Sequence, residues 1–218
     1  MNNRVTDTAA ALGYGVLFCG VAATVSSRRS QRLDDAVRRL QDHPRRGVRH
    51  AIAEGIKVAA KPEVQLRVAA IVTLVLHRAR VRNAGVVVSS ALAVVAMQKY
   101  CKRWMPRRRP PGYRGDQPMQ SFPSGHTATA AAFAFTLARV LDREGITRPA
   151  RSAAIALLAT AVVGESRLVL DDHWPMDVLG GALLGGAVTH GTLAIAKGAP
   201  CWSRATPRGL RHRVTTRA

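Results

Sequence analysis

Aromatic residues make up only 5% of this 218-residue chain, and its 13 acidic residues face 33 lysines and arginines, a formal net charge of +20. So few aromatics leave little on which bases would stack, and no major-groove motif accompanies the positive charge. Nucleic acid is therefore not an expected partner, and the basic balance fits anionic membrane lipid better. Cysteine is scarce too. Cys19, Cys101 and Cys201 are odd in number, widely spaced and without a CxxC pair, so neither a disulfide framework nor a zinc site is indicated. No internal repeat or low-complexity tract is visible.

What is present is a series of apolar runs, at 9–26, 68–76, 84–97, 127–141, 152–164 and 178–196. They predict an all-α protein, an integral membrane bundle of about six transmembrane helices. Several runs are shorter than the roughly 20 residues that span a bilayer, and they are rich in Ala and Gly rather than Leu and Phe. The second needs the preceding stretch 51–66 to become a full span. Otherwise that stretch, with Glu54, Lys57, Lys61 and Pro62, lies along the interface.

Three sections follow from this pattern: an N-terminal helix, basic loop and second membrane helix over 1–83, a helical core over 84–198 that carries the polar segments below, and a basic, disordered tail over 199–218. The first run follows a lone Arg4 and ends in small residues, a pattern compatible with a cleaved signal peptide. Between the first two runs, 28–50 carries eight arginines with a helix-compatible centre at 31–41, and reads as a solvated amphipathic surface segment in preference to a dedicated binding element. Gly180, Gly181, Gly185 and Gly186 include a GxxxG spacing, which favours close helix packing in a membrane over ligand contact.

Three polar segments lie beside apolar runs. In the last, His173 and Asp177 are four residues apart, so on a helix entering the final run they share a face. The carboxylate then accepts from one imidazole nitrogen and leaves the other as an attacking lone pair. Arg167, six residues earlier on the connecting turn, offers a planar fork for two phosphate oxygens. Pro123, Ser124, Gly125 and His126 form a helix start whose free amides suit an anion, with His126 placed to donate a proton. Lys102 and Arg109 sit in a basic run with Arg103, Arg107, Arg108 and Arg114. The latter four read as topological charges or headgroup contacts.

Taken together, K-x6-RP (Lys102, Arg109, Pro110), PSGH (123–126) and SR-x5-H-x3-D (Ser166, Arg167, His173, Asp177) closely resemble the signature of the type 2 phosphatidic acid phosphatase superfamily, over roughly 84–196. That superfamily holds membrane lipid phosphatases, soluble acid phosphatases and vanadium haloperoxidases. The resemblance implies that His173 attacks phosphorus, Asp177 orients it and His126 protonates the leaving oxygen. Lys102, Arg109, Ser124, Gly125 and Arg167 would hold the phosphate oxygens, with no metal and no cofactor. Asp171 and Asp172 depart from the small or apolar residues expected before the histidine, and either repel substrate or pair with spare arginines. Glu165 has no assigned role.

The implied substrate is a lipid phosphate: phosphatidic acid, phosphatidylglycerophosphate, a polyprenyl phosphate or diphosphate, or a phosphorylated glycolipid. A soluble-type acid phosphatase or haloperoxidase, and a non-catalytic polybasic protein binding anionic lipid, are the alternative readings. With six spans, the three motifs and the basic loop share one side. Lys and Arg divide almost evenly between the two sides, so the positive-inside rule does not choose. Resemblance places the protein in a bacterial inner (cell) membrane with its site facing the periplasm or exterior.

Overall fold

The computed structural model describes residues 3–41 and 47–196; the predicted tail and Cys201 lie outside them. Among the described residues there are eight helices and no strand: α1 (Asn3–Ser26), α2 (Gln31–Leu40), α3 (Val48–Ala59), α4 (Pro62–Arg78), α5 (Gly85–Trp104), α6 (Gly125–Arg143), α7 (Pro149–Val169) and α8 (Pro175–Ala196). All six apolar runs fall in helices. By length and composition α1, α7 and α8 are apolar enough to cross a membrane. The remaining three, α4, α5 and α6, are 17, 20 and 19 residues long and carry charges near their ends.

Of the stretch 51–66, only 62–66 extends the second membrane helix. The stretch is cut at Lys61 and Pro62, because proline lacks the N–H that a continuing helix needs and suits a helix start instead. Pro62 accordingly opens α4, and α3 becomes a separate element packed on α7.

The bundle centres on α8, which packs against α1, α5 and α6. Small residues make this close approach work. A Cβ on Gly181 would come within 2.5 Å of the Ser124 carbonyl oxygen, and one on Gly185 within 2.5 Å of the Ala131 methyl. The glycine spacing is thus a packing device, as its sequence suggested. Val94, Ala128, Ala132 and Leu184 fill the α5/α6/α8 seam. Deeper along the same seam, the hydroxyl of Thr136 lies 2.9 Å from that of Ser90 and 3.2 Å from that of Thr189. These buried hydroxyls satisfy one another without charge.

Outside, Leu12, Val16, Leu17, Ile155, Leu157, Leu158 and Ile195 are exposed, an apolar surface suited to lipid. The first helix is built into the bundle. Its fully buried Asp7 pairs with Arg143 and, at 3.7 Å, with Arg139, both on α6, and lies 3.2 Å from His190 on α8.

Candidate active site

The C-terminal ends of α5 and α7 and the N-terminal ends of α6 and α8 meet at one end of the bundle. They surround a cavity of about 1010 Å³ lined by Lys57, Lys102, Arg109, Gly125, His126 and His173, among others. Of the residues to which the sequence gives a catalytic or phosphate-binding role, Ser124, Arg167 and Asp177 do not line it. All three are fully buried behind its wall.

His173 is not itself helical. It lies in the turn between α7 and α8, which corrects the expectation that it shares a helical face with Asp177. The turn has a definite construction. Asp171 N–H donates to Leu168 O (3.1 Å) and Asp172 N–H to Arg167 O (3.0 Å), with Asp171 at φ 53°, the double bond and left-handed residue of a Schellman cap. Glycine is the usual occupant of such a position, and its absence hid the helix end.

The start of α8 places the other partner. Pro175 is its first residue, and Asp177, two residues on, accepts the Trp174 N–H through Oδ2 at 2.8 Å, which is the backward half of a capping box. The same oxygen accepts from the Ser121 hydroxyl and faces His173 Nδ1 at 3.6 Å, an ion-pair separation longer than a good hydrogen bond. On the opposite side of the ring, Arg109 Nη1 lies 3.1 Å from His173 Nε2. A guanidinium can only donate, so Nε2 is the nitrogen with the lone pair and Nδ1 carries the proton. Burial pushes the His173 imidazole down to about 4, assisted by the Arg109 charge and opposed by Asp177.

Arg109 is held on several sides. Its Nε donates to Gln117 O at 3.0 Å and its Nη2 to Gln120 O at 3.1 Å, Nη1 also reaches Asp172 O, and the guanidinium lies over the Tyr113 ring at 4.3 Å. Lys102 sits in the last turn of α5. Ser124 is the N-cap of α6, and its backbone N–H donates to Asp177 O at 2.9 Å, tying the PSGH turn to α8. At Gly125 a Cβ would meet the end of the Gln98 side chain at 2.1 Å, so a larger residue there would require Gln98 to turn away. His126, in the first turn of α6, has a buried Nε2 without a hydrogen-bond partner among the described residues.

Arg167 lies in the last turn of α7, not on the connecting turn, and none of its surface is exposed. Its donors go to Asp172 Oδ2 (3.0 Å), to the neighbouring Ser166 Oγ and to Ala53 O on α3 (3.3 Å). Lys57 stands 3.5 Å from the same Asp172 oxygen. Asp171 pairs with Arg38 at 3.0 Å, and Glu165 with Arg49 and Gln41. The extra carboxylates thus take up basic side chains of the N-terminal third.

Two expectations are corrected here. Arg107 is not a surface charge: its guanidinium is largely buried and bonds Asp177 Oδ1 at 2.6 Å and Asp34 Oδ2. Correspondingly, α2 is not merely a solvated segment. Its Asp34 is fully buried and Arg38 also donates to Pro111 O at 2.8 Å. No local pattern could have revealed contacts across some 70 residues of chain.

A membrane-type helical bundle whose motif-bearing ends enclose a cation-lined cavity defines a class of protein. Residues 80–199 match the model of the PAP2 superfamily, and the chain belongs to that superfamily. Among solved structures, it is similar to the transmembrane PAP2-type phosphatidylglycerolphosphate phosphatase from Bacillus subtilis. The TM-score is 0.74 at 21% identity, over 88% of this chain and 98% of that one. No curated protein matches. The fold and the three apolar helices are those of an integral membrane protein.

Proposed function

We propose that this protein is a membrane phosphatase that removes phosphate from a lipid phosphomonoester or diphosphate through a phosphohistidine. The observation that carries this reading is the bracketing of His173 in a cavity also lined by Lys102 and His126: Arg109 at Nε2, Asp177 at Nδ1. In this mechanism Nε2 attacks phosphorus, the bond to the leaving oxygen breaks, and His126 supplies its proton. Lys102 and Arg109 stabilise the charge growing on the equatorial oxygens, aided by amides at the start of α6. Arg167 acts from behind, either reaching phosphate after Asp172 yields or holding the His173 turn in place. Water then attacks phosphorus and gives a proton to the now neutral His126, the N–P bond breaks, and Nε2 recovers its lone pair as phosphate leaves. These cations supply the charge compensation, so the scheme requires no metal and no cofactor.

A lipid substrate is supported by the apolar outer face of the bundle and by the position of the cavity at one end of it. The similar Bacillus subtilis protein acts on phosphatidylglycerolphosphate, which makes that lipid the first to test, followed by phosphatidic acid and polyprenyl diphosphate. We place the protein in a bacterial cell membrane with the cavity on the periplasmic or outer side, and its basic loop against anionic lipid. Phosphate release by the detergent-solubilised protein, compared between these lipids and a water-soluble aryl phosphate, tests the substrate class. Preference for the aryl phosphate would refute a lipid substrate.

A further inference from the structure

We infer that Asp34 on α2, acting through Arg107, is a positioning residue for the Asp177–His173 pair, so that a helix outside the matched family region completes the catalytic end of the bundle. The inference rests on the phosphatase reading above.

The argument starts at the first turn of α8. A helix leaves its first amides without partners, and a capping box normally satisfies them reciprocally, the N-cap side chain taking one and the third residue returning the favour. Here Asp177 performs the return half by accepting the Trp174 N–H. The forward half is impossible, since the side chain at the N-cap position is Trp174, an indole that only donates. Asp34 provides it from another helix: its Oδ1 accepts the Met176 N–H at 2.9 Å.

The other oxygen of Asp34 accepts from Arg107 Nη2, while Nη1 of the same guanidinium donates to Asp177 Oδ1 at 2.6 Å. Both carboxylates are fully buried. A buried carboxylate on one arm of a guanidinium leaves the other arm free to swing, whereas two carboxylates on the two arms fix its plane. With Arg107 fixed, Oδ1 of Asp177 is occupied, and the carboxylate turns its Oδ2 toward Ser121, the Trp174 amide and His173. The Trp174 ring, 5.7 Å from the Arg107 guanidinium, closes the group. Asp34 touches neither the cavity nor His173, so its effect on chemistry passes through Asp177.

The test is a cycle of Asp34→Asn and Asp177→Asn, singly and together, with kcat and KM measured by phosphate release in detergent. Asp34→Asn is expected to lower kcat by about 10²-fold, the scale of a small misplacement of a reacting group, with KM within about twofold of wild type. In the Asp177→Asn background the same change is expected to cost nothing more, because both variants disable one device. A purely structural role would lower both backgrounds alike, and multiplying losses would overturn the inference, as would wild-type kcat in Asp34→Asn. Arg107→Lys, which keeps the charge but loses the fork, serves as a second variant and is expected to lose kcat in the same pattern. Thermal stabilisation by vanadate shows that each variant retains a folded phosphate pocket. His173→Ala distinguishes the two levels: full turnover there removes the phosphatase reading, while a dead His173→Ala beside a fully active Asp34→Asn removes this inference alone.

Discussion

Nη1 of Arg109 stands 3.1 Å from Nε2 of His173, so the nitrogen assigned as nucleophile rests against the cation assigned to receive phosphate oxygen. The contact has two consequences. It holds the imidazole in the tautomer with its lone pair on Nε2, where that lone pair accepts from Arg109 until a phosphate oxygen takes the guanidinium, and it places positive charge where an equatorial oxygen would arrive.

Arg109→Ala is expected to lower kcat/KM by about 10²- to 10³-fold, the scale set by removal of one oxyanion donor. Arg108→Ala is expected to stay within about threefold of wild type, since what Arg108 offers the site is its backbone carbonyl, which accepts from Trp174 Nε1 at 2.8 Å and survives side-chain truncation. Steady-state phosphate release checks both. Equal losses would mean that the register of the basic loop is misassigned.

The depressed His173 pKa fixes the sign of a pH dependence. With a folded value of about 4 against an ordinary 6.5, the unfolded chain binds more protons between those limits. The His173 contribution therefore lowers stability as pH falls from about 6.5 toward 4, and is constant above that window. In detergent, unfolding temperature is expected to fall through this window in wild type and less steeply in His173→Gln. The acidic limb of kcat/KM is likewise expected well below pH 6.5, because the imidazole stays neutral there. An acidic limb at or above pH 6.5 would contradict a buried, neutral His173.

Helix packing sets a further expectation. Gly181→Ala would press a methyl toward the Ser124 carbonyl and to 3.2 Å from Ala128 N, both backbone atoms that cannot rotate away. The expected cost is about 1–3 kcal/mol of stability, together with lost activity, because the displaced segment carries the PSGH turn. Thermal unfolding and phosphate release check it. A Gly181→Ala protein as stable and active as wild type would show that α6 and α8 have slack.

The proposed chemistry uses Lys102 and Arg109 where other phosphatases use metal ions. Phosphate release is therefore expected to be unchanged by EDTA and inhibited by vanadate, whose trigonal-bipyramidal form mimics the transition state. Activity lost to EDTA and restored by magnesium would contradict the metal-free scheme.

Much of the helical frame was legible because each apolar run is long enough to show its pattern, and the three motifs lie beside runs whose ends must meet if the helices alternate across a membrane. Less visible were the features set by tertiary context. The break at Pro62 makes α3 a separate wall of the cavity, and the Asp171 turn closes α7 without the glycine that would have announced it. Arg107 looked like its neighbours because a charge run carries no mark of which member is buried. Only its tertiary contacts with Asp34 and Asp177 distinguish it.

The most direct test of the central claim is single-turnover reaction with lipid substrate carrying a radiolabelled phosphoryl group, quenched in alkali, for wild type and His173→Ala. The account predicts an alkali-stable, acid-labile phosphoprotein in wild type and none in His173→Ala. Equal labelling of both proteins, or unimpaired phosphate release by His173→Ala, would contradict it.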